Sequence, residues 1–197
     1  MKFVNVAIVG AGPAGIGIAS LLSKTDIDYI VLEKSNVGSS FLEWPDNMEM
    51  ITPSFPSNAF GQMDLNSIAP YTSPAFSFKK EHLSGKEYAK YLKKVKILNK
   101  IDIETNAEVK NVKKVEKGWM IETNKGNLIC KYLVWAAGEF QNPKITGIKG
   151  LEHCIHSSSI KEPNNLNGDN FIIIGGYESG VQMAIEMVKH NKNVTLI

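Results

Sequence analysis

The chain has 197 residues, of which 43% are hydrophobic and 21% charged, with a formal net charge of +2. This is the composition of an ordinary globular protein with room for one domain or one and part of another, and it excludes a strongly basic nucleic-acid binder or a highly charged membrane-surface protein. The cationic side chains other than histidine are all lysine, so a bidentate guanidinium clamp on phosphate is excluded, and the two cysteines, Cys130 and Cys154, form no CxxC.

Two well-separated thiols fit a reducing, cytoplasmic setting, and neither a signal peptide nor a membrane-spanning run is present. Residues 6–9, VAIV, form a short apolar run that predicts a buried parallel strand. Glycines follow at Gly10, Gly12 and Gly15, interleaved with Pro13 and Ala14, and residues 16–23 continue with helical spacing. Strand, glycine-rich turn and helix are the context of the dinucleotide fingerprint. Gly10 permits the tight turn, Gly12 lets a pyrophosphate approach the backbone, and Gly15 lets the helix pack closely. The N–H groups at the helix N-terminus then face the diphosphate, and the helix dipole favours the anion. Glu33 ends the next apolar run, Tyr29 to Leu32, where an acid accepts hydrogen bonds from a ribose hydroxyl.

Residues 34–41 are a turn-rich loop at the carboxyl end of the second predicted strand, the edge where open parallel sheets bind ligands. The stretch from Leu42 to Phe78 is rich in Pro, Ser, Asn and aromatic residues, among them Trp44, Thr52, Phe55, Pro56, Phe60, Tyr71 and Phe76. A long irregular loop of this kind tends to be functional, and it is expected to form a wall over a flat aromatic ligand. The plainer alternative is a surface loop with its aromatics tucked into the core. Ser84 and Glu87 have the spacing of a capping box, which predicts a helix through Val95 whose lysines at 90, 93, 94 and 96 line a solvated face. His82 is expected at the surface.

From Ile101 the period becomes two, over Ile101, Ile103 and Thr105, and Val109, Val112 and Val115 follow. Gly118 to Thr123, a hairpin signal at residues 124–127 and the run from Leu128 to Trp135 predict an antiparallel meander that feeds into a buried strand of the parent sheet. That strand ends in Ala136, Ala137 and Gly138, followed by Asn142 and Pro143, and such small residues let a ligand approach the backbone. His153 and His156 lack a third ligand, so no metal site is expected. Residues 170–174 predict another apolar strand, leading into Gly175, Gly176, Tyr177, Glu178, Ser179 and Gly180 and a helix over 181–190. This is a second fingerprint with Tyr177 in place of its middle glycine.

The two fingerprints, VAIVGAGPAGIG and FIIIGGYESG, together with VLEKSNVGSSF, ITPSFPSNAFG and LVWAAG with Pro143, resemble the flavoproteins with two dinucleotide-binding domains. Within them the chain is most similar to the bacterial flavin-containing monooxygenase-like oxidoreductases. The resemblance implies an α/β fold: a Rossmann-like FAD-binding domain with an antiparallel β-meander over residues 1–160, and the start of a second Rossmann-like, NAD(P)-binding domain over 161–197.

The resemblance further implies that Gly10, Gly12, Pro13, Ala14 and Gly15 contact the FAD diphosphate and Glu33 the adenosine ribose. Lys34, Ser40 and Phe41 would line the following loop, Trp44 and Thr52 approach the flavin, Val109 bind the adenine through its backbone, and Ala137 and Gly138 pass beside the cofactor. Gly175, Gly176, Ser179 and Gly180 would hold NADPH or NADH. The implied function is an FAD-dependent oxidoreductase that passes hydride from NAD(P)H to flavin and on to oxygen or another acceptor, as a flavin-containing monooxygenase does, with a small-molecule substrate and neither nucleic acid nor membrane as partner.

Departures from the family pattern are Phe41 where tryptophan is usual, Ile160 where an aromatic follows His156 and Ser157, and Tyr177. The alternatives are a flavin disulfide reductase that works without CxxC, or a non-catalytic FAD-binding fragment. The resemblance places Ile197 only two strands into the second domain, so the expectation is the N-terminal portion of a longer enzyme or a truncated product.

Overall fold

The computed structural model describes residues 2–55, 62–139 and 147–197. Pro56, Phe60, Asn142 and Pro143, all singled out above, lie outside the described residues. The chain forms two compact units, one of residues 1–42 and 50–139, the other of residues 43–49 and the chain from 140 on. The expected boundary after residue 160 thus lies inside the second of these units. Among the described residues no helix is long and apolar enough to cross a membrane.

The first unit is built on a six-stranded sheet. Strand β1, Lys2–Val9, pairs in parallel with β2, Tyr29–Leu32, joining Ile8 to Val31 and Val9 to Leu32. Helix α1, Pro13–Leu22, connects them and opens on a proline in its first turn, where a missing N–H costs nothing. On its other side β1 pairs in parallel with β6, Gly126–Trp135, from Lys2 opposite Leu128 to Val9 opposite Trp135. The meander strands β4, Val109–Val115, and β5, Gly118–Thr123, extend the same sheet in antiparallel fashion, and with β3, Ile103–Glu104, at the other edge the spatial order is β3-β2-β1-β6-β5-β4. Tyr29, at the start of β2, has its phenol pushed above the ordinary range by burial and by the nearby Asp102 carboxylate.

Three sequence expectations are revised here. The alternating residues from Ile101 give only a two-residue strand, β3, Ile103–Glu104, and it pairs in parallel with the outer edge of β2. The apolar end of β6 is not fully buried: Tyr132 is 58% and Trp135 61% exposed. The cause is pairing. β5 pairs with β6 only from Gly126 to Cys130, and beyond that point, among the described residues, β6 pairs with β1 alone. The stretch ending at Phe78, read as irregular, closes in a short helix α3, Pro74–Phe78, capped by the Ser73 hydroxyl.

Helix α4, Gly85–Leu98, turns Tyr88, Ala89, Tyr91, Leu92 and Val95 to the core, beside Ile8, Ile16 and Val31. Lys90, Lys93 and Lys94 are exposed, as a solvated face requires, and Lys96 is half-buried. His82 is exposed and its Nδ1 meets the Met50 carbonyl at 2.8 Å. The irregular stretch before α3 is pinned to this helix by two phenols. The Tyr88 hydroxyl donates to the Asn66 carbonyl at 3.0 Å, and the Tyr91 hydroxyl meets Thr72 Oγ1 at 2.7 Å and accepts from the Ile68 N–H. Burial pushes both phenols above their ordinary range, Tyr88 well above it. Asp64, fully buried, orders the stretch from within: it accepts from the Asn66 N–H, the Ser73 hydroxyl and the Ala75 N–H.

The second unit holds β7, Asn170–Ile173, helix α5, Glu178–Lys189, and β8, Asn193–Leu196, with β7 parallel to β8. Ile160, Met183 and Met187 form its small core against Leu166, Phe171, Ile173 and Val194. Residues 43–49 are tied to it. The Asp46 N–H donates to the Lys161 carbonyl, the Lys161 ammonium reaches the Asp46 carboxylate at 3.4 Å, and Gln182 donates to the Glu49 carbonyl.

The α4 capping box is complete: the Ser84 hydroxyl accepts from the Glu87 N–H, and the Glu87 carboxylate accepts from the Ser84 N–H. Burial raises the Glu87 pKa, but the bonds from the Ser84 backbone and hydroxyl and from Lys80 outweigh it and hold the carboxyl below its ordinary value. A depressed folded-state pKa stabilises above the unfolded value and is lost as pH falls through the folded one. Ser84→Ala is therefore expected to cost about 1 kcal/mol in urea unfolding at pH 7. The difference from the parent should narrow as pH falls through the lowered folded-state pKa of Glu87, where the carboxylate loses its charge.

Candidate dinucleotide sites

The turn after β1 is built from three glycines with three different physical reasons. Gly10 has φ +105°, donates to the Leu32 carbonyl at 2.8 Å, and lies so close to the end of β6 that a Cβ would fall 2.2 Å from the Ala136 carbonyl oxygen. Gly15 packs on the turn itself, where a Cβ would fall 1.9 Å from the Gly10 carbonyl oxygen and 3.4 Å from Ile8 Cγ2. Gly12 differs from both. It caps α1 with φ −83° and ψ −169°, a conformation open to any residue, and a Cβ there would meet nothing within 4 Å among the described residues. Neither backbone conformation nor packing asks for glycine at position 12, and the empty space in front of the helix N-terminus does, if an anion is to reach the N–H groups.

Glu33 is 7% exposed and is already engaged. Its Oε2 accepts from the Ala11 N–H and its Oε1 from the Ser35 N–H, each at 2.8 Å. The carboxylate therefore ties the glycine turn to the end of β2, and each oxygen keeps a lone pair for a ribose hydroxyl. Its own backbone is held by β3 and the turn after it, with its N–H donating to the Glu104 carbonyl and its carbonyl accepting from the Ala107 N–H. Ala11 is clamped from the other side as well, since its carbonyl accepts from the Gly38 N–H at 3.1 Å. Gly38, at φ +69°, lies under α4, where a Cβ would fall 3.1 Å from Ala89 Cα. Sequence reasoning passed over Ala11, Ser35 and Gly38. A glycine in the loop after β2 was their one visible signal.

The other expected site residues fall in several places. Lys34 and Ser40 are exposed, Ser40 within the short helix α2, Ser39–Leu42. Phe41 meets Tyr88 edge-on, with ring centroids 4.8 Å apart, at the margin of the core. Thr52 is exposed, and its carbonyl accepts from the Asn66 side chain. Trp44 belongs to the second unit, where its carbonyl accepts from Lys161. Val109 opens β4 and lines a shallow cavity of about 360 Å³ with Asn111, Leu133 and Trp135. Ala137 is half-buried, and Gly138 is exposed at φ +79° with open space where a Cβ would stand. Pro13 and Ala14 form the first turn of α1. Among the described residues, bare backbone thus meets no neighbour at Gly12 and Gly138, after two neighbouring parallel strands, β1 and β6.

The second unit repeats the turn. Gly175 has φ +107° and donates to the Ile197 carbonyl at 2.7 Å, as Gly10 does to Leu32. Gly180 packs on the Gly175 carbonyl oxygen, 2.0 Å from where its Cβ would be, as Gly15 does on Gly10. A Cβ on Gly176 would lie 3.8 Å from Leu196 Cδ2, and Ser179 is exposed in the first turn of α5.

These contacts separate two roles by mutation. Gly15→Ala is expected to destabilise the chain by at least about 3 kcal/mol, because backbone must move to admit the methyl. Gly12→Ala should change stability by less than about 1 kcal/mol. Thermal or urea melts of the two variants check the pair.

Residues 7–197 match the family described as pyridine nucleotide-disulphide oxidoreductase. The chain is 34% identical over 191 residues to an uncharacterized oxidoreductase, CzcO, of Bacillus velezensis, a match covering 94% of this chain and 52% of that protein. Two solved structures share its fold. One is the bacillithiol disulfide reductase Bdr from Staphylococcus aureus, with TM-score 0.81, 22% identity, and coverage of 100% of this chain and 57% of that one. The other is a flavin monooxygenase, a double mutant, from Stenotrophomonas maltophilia, with TM-score 0.82, 20% identity, and coverage of 100% and 57%. The chain spans about half the length of the curated relatives it matches. The two glycine turns and the acid at the end of β2 lie within the matched span, and the chain belongs to the pyridine nucleotide-disulphide oxidoreductase family.

Proposed function

We propose that this chain is the FAD-binding and nicotinamide-binding part of an FAD-dependent oxidoreductase that takes hydride from NAD(P)H and passes it to oxygen or another acceptor. The observation that carries the reading is the empty space before Gly12 beside a buried, tethered Glu33. A diphosphate fits that cradle. It lies against bare backbone at the positive end of α1, whose first turn holds no acid. A ribose fits Glu33, whose two oxygens are oriented by the Ala11 and Ser35 N–H groups.

FAD in this position supplies hydride acceptance and electron delivery to the acceptor. The chain's own residues bind and orient. Gly12 admits the diphosphate, Glu33 sets the ribose and keeps the turn in register, and Gly138 lets the cofactor pass the end of β6. The residues around Gly175 and Gly180 are the nicotinamide dinucleotide site. The acceptor reading is supported by relatives of two kinds, a flavin monooxygenase and a disulfide reductase. Cys130 is buried, its thiol pushed up by burial, while Cys154 is exposed, and no CxxC is present, so a reductase here would work through flavin without a dithiol of this chain. The partners are the two dinucleotides and a small-molecule acceptor, with neither nucleic acid nor membrane, in the cytoplasm.

The test is the visible spectrum of the purified protein, with its mass confirmed, before and after anaerobic NADPH. A flavin spectrum that bleaches supports both sites. A protein that stays colourless after adding FAD overturns the reading. Admitting air or adding a disulfide to the reduced protein then separates the two acceptors. Glu33→Gln, which weakens both bonds at the carboxylate, is expected to raise the FAD dissociation constant about tenfold in a fluorescence titration. Gly12→Ala should lose FAD while keeping its melting transition.

A further inference from the structure

The two glycine turns have one backbone and different side chains before the helix. Tyr177 caps α5 with φ −94° and ψ −173°, against −83° and −169° for Gly12 at the cap of α1. The first helical hydrogen bonds match too, Val181 N–H to the Tyr177 carbonyl at 3.0 Å and Ile16 N–H to the Gly12 carbonyl at 2.9 Å. Equal dihedrals send the Tyr177 Cβ in the direction that is left empty at Gly12, toward the space before the helix N-terminus. The Tyr177 ring is 82% exposed, so it is not an anchor of the core. Its side chain makes no capping hydrogen bond to the helix. The turn is closed without it, by Gly175 and by the contact of Gly180 with the Gly175 carbonyl.

A second difference has the same sense. The first turn of α5 carries Glu178, where α1 has Pro13 and no acid. A carboxylate at the positive end of a helix takes up the field that would otherwise favour an incoming anion. Ring and carboxylate both act against a diphosphate drawn close to the α5 N–H groups, and neither is needed by the fold of the turn.

We propose that Tyr177 is the residue that sets the affinity of the second fingerprint for its nicotinamide dinucleotide. Its side chain leaves the backbone toward the space that the diphosphate must enter to reach the N–H groups of α5, and Glu178 adds to the effect. The inference rests on the reading of residues 170–197 as the nicotinamide site. The consequence is a loosely held, readily exchanged reductant at the second turn, against a closely held cofactor at the first.

The experiment is an isothermal titration of the full chain, loaded with FAD, with NADPH, NADH and ADP-ribose. Tyr177→Gly is compared with the parent, and Tyr177→Ala is the second variant. Both changes are neutral for the cap backbone, and unchanged FAD retention and melting confirm the fold. Tyr177→Gly is expected to bind the nucleotides about tenfold more tightly, through hydrogen bonds to the charged diphosphate that the ring obstructs. Glu178→Gln should tighten binding by about two- to fivefold and weaken its salt dependence. Tyr177→Phe should match the parent, since the effect is steric. Measurable binding that is unchanged or weaker in both Tyr177→Gly and Tyr177→Ala overturns the role of Tyr177 and leaves the nicotinamide site standing. Binding in neither parent nor variants at millimolar nucleotide overturns the site as well.

Discussion

The hold on Ala11 is the constraint on which the first unit depends. Its N–H is taken by the Glu33 carboxylate and its carbonyl by the Gly38 N–H. Those two bonds join the turn after β1 to the end of β2 and to the loop beneath α4. Gly10 and Gly15 then close the turn by backbone contact, Gly10 against the Ala136 carbonyl and Gly15 against the Gly10 carbonyl. A buried carboxylate with both oxygens accepting N–H bonds is an oriented group. On the proposed reading Glu33 combines this structural duty with a ligand-facing one, and the loss of either would be felt by the other.

The second unit shows which parts of that turn are backbone necessity. The positive φ of the first glycine and the close contact of the last recur at Gly175 and Gly180. A Cβ on Gly10 would strike Ala136, while one on Gly175 would meet nothing within 4 Å among the described residues. The middle glycine does not recur. What is shared is what a strand needs to turn sharply into a helix, and what varies is the surface offered to a ligand.

Much of this was legible in the sequence because its signals are local. A four-residue apolar run, three glycines and an acid suffice for β1, α1 and Glu33, and the Ser84–Glu87 spacing suffices for the α4 cap. The misses are all non-local. β3 is two residues long and exists because β2 offers an edge, which no periodicity around Ile101 announces. The exposure of Trp135 follows from where β5 stops, not from the composition of β6. The stretch before α3 read as loop because its order comes from Asp64 and from two phenols some twenty positions further on. Phe41 was read for its place beside a fingerprint, and its ring packs on Tyr88, a partner that only the folded chain brings near.

Strand β6 also governs the order in which the unit can assemble. Lys2 pairs with Leu128 and Val9 with Trp135, so β1 is bracketed by strands made far apart in time. At synthesis rates of about 5–20 residues per second, roughly 6–25 seconds separate the emergence of β1 from that of its partner. Through that interval β1 has β2 on one side and an open, apolar edge on the other, the kind of edge that pairs with strangers. The side chains nearest the chain's start, Lys2 and the exposed Phe3, are a charge and a bulky ring at the end of that edge. A nascent chain of this design depends on being shielded, or on being finished quickly, in a way that the completed sheet no longer does.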